Sequence, residues 1–491
     1  MPIAQGSCPG CGTLIEFGLG ASMARVCDTC HTTVVRSDRG LQDLGKVAAL
    51  ADTPSPIAVG DQGTLAGRPL EVLGRVQLDY GLGPWDEYYV SFDSGMQWGW
   101  LAYAQGRWYA TTLVPNLTAP PRQDLSVDRD YALSIGTFSV VEVRSAKIVS
   151  AEGELPNPIK AGTLRYYADA YGPRGAFATF DYDDGTGPSS VYSGWIFSDA
   201  QLSVTKLGPR TARKVKTSLL QCPNCGGEVP KLHDGRSERL GCPYCGAISD
   251  IPTRTVVAQQ EKLLQMPDIP IGNTGIFESI SYTCLAYIRR STHSEDELYQ
   301  WEEYLLFNPS EGYRWLVKDP ETGWSWTTFV NPADIDRSIL PDRIRHANQT
   351  YVQRNRSLAR VDYVLGEVYW KCSIGETVSV MDFACGNEVI SRELDTEEVN
   401  YSQSRIVSWP KIAAAFELPV SGPGGTGIPA GGGVIRGAVG CGTIAVIVVL
   451  IVILVVVLAV AASSGGGGST GPVFIGGGSS YRGGGSYSGG K

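Results

Sequence analysis

Residues 85–90 read WDEYYV, and residues 301–306 read WEEYLL. An aromatic–acidic word written twice is either chance or a sign of duplication, and the flanking text decides between them. Phe92 and Trp100 are eight residues apart, as are Phe307 and Trp315. Trp108 is followed by TTLV and Trp324 by TTFV, each run starting three residues on. Upstream, IAVGDQG (57–63) pairs with IPIGNTG (269–275). Downstream, GEL at Gly153 pairs with GEV at Gly366, Gly162 with Gly375, and Asp169 with Asp382, all in register. The chain therefore reads as tandem copies, roughly 6–205 and 220–416. Two copies of this length do not make a solenoid.

The local pattern is strand-rich. DEYYVSF, MQWGWLAYA and RWYATTLV are short aromatic and β-branched runs punctuated by DSG and QG, which predicts an antiparallel meander. AFATFDYDDGTG and SSVYSGWIF continue it. The fold class expected is mainly β, a β barrel or sandwich in each copy, with the choice between them open. Helix is expected at 41–51, 255–266 and around 342–359. The β domains are placed at 55–205 and 268–416.

Eight of the twelve cysteines fall into two sets. Cys8, Cys11, Cys27 and Cys30 form CPGCG and CDTC; Cys222, Cys225, Cys242 and Cys245 form CPNCG and CPYCG. Both sets fit C-x2-C-x15–20-C-x2-C, a zinc signature. Two residues between cysteines let both thiolates reach one ion, and two such knuckles close a tetrahedral site. The expectation is two zinc ribbons, at 6–35 and 221–250, each holding a structural Zn ion with no position open to substrate. Iron of the rubredoxin type is the less favoured metal. Disulfides, a redox CxxC, and a c-type haem site at Cys27–His31 are the other readings. The start MPIAQGSCPG has no secretory pattern, which places the thiols in a reducing compartment. Cys284, Cys372, Cys385 and Cys441 read as buried apolar cysteines.

A formal charge of −9 argues against bulk phosphate binding, so nucleic acid is not an expected partner. Four histidines leave little for His-based catalysis. From Ile444 to Ala462 the chain is apolar throughout, long enough to span roughly 30 Å as a helix. One transmembrane helix is expected at 442–462, after a Gly/Pro linker at 417–441 and before a Gly/Ser-rich tail at 463–491. Arg436 precedes it and the next cation after it is Arg482, so the N-terminal body is expected on the cytoplasmic side of the cell membrane. KLGPRTARKVK (206–216), in a linker placed at 206–220, is basic enough to touch anionic lipid, a solvated linker being the plainer reading.

Glu87 and Glu303 stand two residues after Trp85 and Trp301. A carboxylate against a ring could be a general acid. The nearest matched acids, Asp86 and Glu302, are adjacent and so point to opposite strand faces, which removes a shared-substrate pair. No catalytic residue is assigned. Exposed aromatic surfaces beside Trp85, Glu87, Trp301 and Glu303 are the candidate partner contacts, with core packing as the competing reading. DYDDGTG (181–187) reads as a turn and not a calcium loop, lacking the terminal Glu.

The leading CPGCG and CPNCG, SAEGELP (150–156), FATFDY (177–182), GEVYWKCSIGETV (366–378) and ISRELDTEEVNYSQSRI (390–406) together resemble bacterial proteins carrying domain of unknown function 4178. The resemblance covers about 8–416. It implies no established activity. It implies a setting among bacterial envelope-associated gene clusters, some beside phage-shock-type or polyamine-synthase-like partners. Copy one departs from it, with LPNP in place of VYWK. The functional expectation is a membrane-anchored cytosolic scaffold for protein partners, in envelope stress or membrane maintenance. The alternative is a module sensing a small ligand or lipid headgroup; an enzyme is third.

Overall fold

The computed structural model describes residues 4–419, apart from 18–21, 38–39, 47–56, 80–83, 105, 186, 207–218, 233–236, 262–265 and 295–296. The first copy contributes eight barrel strands: β1 (Arg68–Asp79), β2 (Pro84–Phe92), β3 (Gln97–Ala104), β4 (Arg107–Leu113), β5 (Gly136–Leu155), β6 (Leu164–Tyr171), β7 (Ala176–Asp181) and β8 (Ser190–Ser198). β1 to β4 form one antiparallel meander and β5 to β8 another. β4 pairs with β8, and β5 closes onto β1, so the sheet is a closed barrel.

The second copy repeats this topology. Its strands are β9 (Ile280–Ser294), β10 (Glu297–Asn308), β11 (Gly312–Asp319), β12 (Gly323–Phe329), β13 (Gln349–Val368), β14 (Thr377–Cys385), β15 (Glu388–Leu394) and β16 (Val399–Ile406). β12 pairs with β16, and β13 closes onto β9. The structure thus selects barrel over sandwich. Closure leaves neither barrel with an open edge along its own ring, which long aromatic strands need.

Alternation along the strands sorts side chains into two sets. Trp85, Tyr89, Trp100, Tyr109, Tyr167, Tyr171 and Phe177 lie in one cluster. They meet across the barrel: Trp85 and Tyr167 ring centroids are 6.3 Å apart, and the Tyr109 and Tyr171 hydroxyls share a 3.0 Å hydrogen bond. This set is the interior. The opposite set of the second barrel, including Tyr304, Leu316, Trp324 and Trp326, is covered by helix α1 (Trp409–Ala415) and Phe416.

Among the described residues the three expected helices are not formed, residues 47–51 and 262–265 lying outside them. Residues 40–46 are a strand paired with Thr32–Ser37, and 255–259 a strand paired with Ala247–Asp250; each occupies an open ribbon edge. Each is the return strand of a short hairpin, Ser37 pairing with Gly40 and Asp250 with Thr255, and that pairing outweighs local helix propensity. Residues 343–346 and 349–368 form a hairpin whose two turn residues, Ala347 and Asn348, both have positive φ (46° and 64°). That is the turn geometry usually signalled by Asn-Gly, written here without glycine. The expected span at 442–462 lies outside the described residues, as do the tail and most of the basic linker. Among the described residues no helix is long and apolar enough to cross a membrane.

The two barrels pack within one unit. Outer-face residues Tyr351, Phe383, Ile390 and Tyr401 of the second barrel join the core cluster of the first. Asp128 is the hub of the contact, accepting from Arg337 (2.8 Å) and the Tyr401 hydroxyl (2.8 Å) and forming an ion pair with Arg392 (2.8 Å). Arg144 reaches across to Glu398 at 3.0 Å while also facing Glu142.

Candidate metal centres

Each cysteine set gathers at one point, with its four sulfurs all within 4.8 Å of one another. In the first ribbon, Cys8 and Cys30 Sγ are 3.6 Å apart, as are Cys11 and Cys27. In the second, Cys222–Cys245 is 3.8 Å and Cys225–Cys242 is 3.9 Å. Four thiolates about 2.3 Å from a zinc ion sit about 3.8 Å apart at tetrahedral corners. Both sites could therefore hold a metal ion without rearrangement.

The knuckle backbones explain the spacing. The residue four after the first cysteine of each knuckle donates its N–H to that cysteine's carbonyl: Gly12 to Cys8, Gly226 to Cys222, Gly246 to Cys242, and His31 to Cys27. All four have positive φ, at 80°, 71°, 72° and 57°. His31 thus fills the slot that glycine fills elsewhere, which accounts for CDTCH without haem. The thiols are not equivalent. Burial pushes Cys8 and Cys242 up to about 12. The Thr32 hydroxyl and N–H bring Cys30 down to about 6, and the Asn224 amide brings Cys245, against burial, to about 7.

The ribbons are woven into the barrels. The first ribbon's strand Ala24–Val26 pairs with the end of β5, at Glu154 and Leu155. Strand Arg239–Gly241 of the second pairs with β13 at Gly366, Glu367 and Val368. The matched GEL and GEV words are these junctions. Gly153 and Gly366 have φ of 74° and 85°, and a Cβ on either would meet a backbone carbonyl at 2.3 Å. Glu367 is buried and accepts from the Leu232 N–H (2.6 Å) and the Ser237 hydroxyl (2.5 Å). The YWK stretch peculiar to copy two seals the joint: Tyr369 stacks on Tyr313 at 3.9 Å, Trp370 meets Trp315 edge-on, and Lys371 reaches Asp250 (3.1 Å) and Glu238 (2.7 Å).

Trp85, Glu87, Trp301 and Glu303 are interior residues, all at most 5% exposed, so they present no exposed partner surface. Each tryptophan Nε1 donates to the glutamate two residues on, at 3.3 Å and 2.8 Å. Packing of a closed barrel required both words. Asp86 takes the other strand face, accepting from Gln77 at 3.0 Å.

Around each glutamate lies a buried polar belt. In the first barrel Asp169 accepts from Thr179 (2.7 Å), and Arg165 pairs with Asp181 (3.3 Å). In the second, Asp382 accepts from Ser391 (2.6 Å) and Asn355 (3.2 Å), and Arg290 pairs with Glu393 (2.7 Å) and Glu303 (3.5 Å). The acids at matched register keep their places, while the compensating arginine has moved from β6 to β9. Burial raises Glu87 to about 8 and Asp382 to about 6. Burial opposes the Arg290 charge, and Glu393 and Glu303 more than offset it. Packed among aromatic rings, this belt can hold or share protons within the barrel. Pattern reading missed the belt because its members stand on different strands, and only the Asp169–Asp382 match pointed to it.

The fold and the sulfur quartets define a class: a mainly β protein of two closed barrels, each with a four-thiol ribbon woven onto its longest strand. The family model described as Domain of unknown function (DUF4178) matches residues 58–197 and 270–408. These stretches make up more than half of the chain, and the chain belongs to that family. No curated protein and no solved structure matches it.

Proposed function

We propose that the protein is a membrane-anchored cytosolic scaffold that offers partners two zinc-stapled ribbon–barrel modules held at a fixed spacing. The observation that carries this reading is the Asp128 junction. Three donors from the second copy converge on one carboxylate of the first. A scaffold needs such fixed geometry between its surfaces, and the filled barrel interiors leave the outer walls as the contact area. Zinc suits four-thiolate sites because it has no redox chemistry and accepts tetrahedral sulfur. The apolar stretch 442–462 supplies the anchor, with Arg436 keeping the body on the cytoplasmic side. Envelope maintenance is the role we propose for the scaffold.

Proximity labelling from the full chain in native membranes, compared with a chain lacking 442–462, tests this. The scaffold reading expects a short, reproducible set of membrane-side partners that disappears when the deleted chain moves to the soluble fraction. A deleted chain that stays with membranes, or an identical neighbour set for both, contradicts it. Small-ligand sensing is favoured by one separate observation, a cleft where the two copies meet.

A further inference from the structure

A cavity of about 520 Å³ opens at the junction of the two copies. That volume lies within the range of small-molecule sites, which favour barrel mouths and domain boundaries. Arg107, Tyr171 and Ile196 come from the mouth of the first barrel, and Phe329, Arg314 and Asp334 from the second copy. Arg107 and Tyr109 lie on the same face of β4, so Arg107 stands at the end of the barrel interior.

The charges in the cleft are not all committed. Arg314 donates to the Glu311 carboxylate at 3.0 Å and to two main-chain carbonyls at 2.7 and 2.8 Å. Arg107 rests over the Phe329 ring, 4.9 Å from its centroid. Among the described residues its guanidinium makes no hydrogen bond and has no carboxylate within ion-pair distance. A guanidinium held against a ring keeps its edge donors for a planar anion. Tyr171 and Phe329 rings lie 5.6 Å apart and provide an apolar wall. The exposed Asp334 on the rim disfavours a second negative group on the same ligand.

We propose that this cleft binds a small monocarboxylate with a flat apolar body, its carboxylate on Arg107 and its body against Phe329 and Tyr171. The second copy does not repeat this site, because its residue matching Arg107 is Gly323. The inference goes beyond the scaffold reading and does not need a protein partner.

The test uses the purified full chain in detergent, with para-fluorobenzoate followed by fluorine NMR. Saturable binding is expected, weakened at least about tenfold by Arg107→Gln and less so by Arg107→Lys, which keeps the charge but not the stacked fork. The neutral probe benzyl alcohol is expected to bind at least about tenfold more weakly than the carboxylate. Arg122→Gln serves as a control, since Arg122 also stacks on a ring (Tyr166, 4.1 Å) but lies outside the cleft; it is expected to change nothing. An unchanged melting temperature for each variant confirms that it is folded. No saturation by about 10 mM, or equal binding by wild type and Arg107→Gln, overturns the proposal.

Discussion

His31 stands in a left-handed slot that three of the four knuckles give to glycine. A side chain there costs about 1–2 kcal/mol, partly offset by the greater freedom glycine loses on folding. His31→Gly is therefore expected to stabilise the first ribbon by ~0.5–1 kcal/mol, read as slower metal release to a chelator. Equal or faster release would contradict the assignment. Glu87 raises a different question, because its carboxyl is pushed up to about 8 by burial. A folded-state pKa above the unfolded value means the folded chain binds more protons across that interval. Its contribution is full below the ordinary glutamate range and is lost as pH rises through about 8. The melting temperature is expected to fall between about pH 5 and 8, and Glu87→Gln to flatten that fall. The same slope in both proteins would remove Glu87 as the cause. Neither residue's role was legible beforehand. CDTCH read as a ribbon knuckle rather than a haem site, but why histidine stands there needed the backbone of the other three knuckles. WDEYYV announced duplication clearly, yet gave no sign which face of its strand would be enclosed.

Strands β5 and β13, each 20 residues long, do two jobs: one part closes a barrel and the end carries a ribbon. The change of partner happens at Gly153 and Gly366. Gly366→Ala would set a Cβ 2.3 Å from the Leu285 carbonyl oxygen at a φ of 85°. The expected loss is about 3 kcal/mol or more, with the second ribbon's cysteines gaining reactivity toward a thiol reagent before the barrel unfolds. Simultaneous loss of ribbon and barrel, or no loss, would show that the joint lies elsewhere. At this scale the matched GEL and GEV words were visible as text, but their meaning needed the pairing partner. The helix expectations failed for a related reason. Residues 40–46 and 255–259 pair with the strands just before them at open ribbon edges, and the hydrogen-bond demand of such an edge is not written in residue propensity. The β class, the antiparallel meanders and the sulfur quartets were legible because their signals are periodic or closely spaced.

Across the whole molecule, the two copies are held by a small ionic lattice that no motif announces. Asp128, Arg337, Arg392 and Tyr401 come from distant parts of the chain and have no counterpart pattern between copies. Asp128→Ala leaves two guanidinium groups without their shared acceptor. The expected cost is about 2–4 kcal/mol, discounted for the partial exposure of Asp128, and one unfolding transition should become two. A single cooperative transition of unchanged midpoint would argue that apolar contact alone joins the copies. The metal sites offer the most direct test of the account. Metal analysis of the purified full chain, with X-ray absorption at the metal edge, should find two ions per chain, each bound by four sulfurs at about 2.3 Å. Well under one ion per ribbon, or sulfurs found in disulfides, would contradict the account of two metal-clamped ribbons stitched to their barrels.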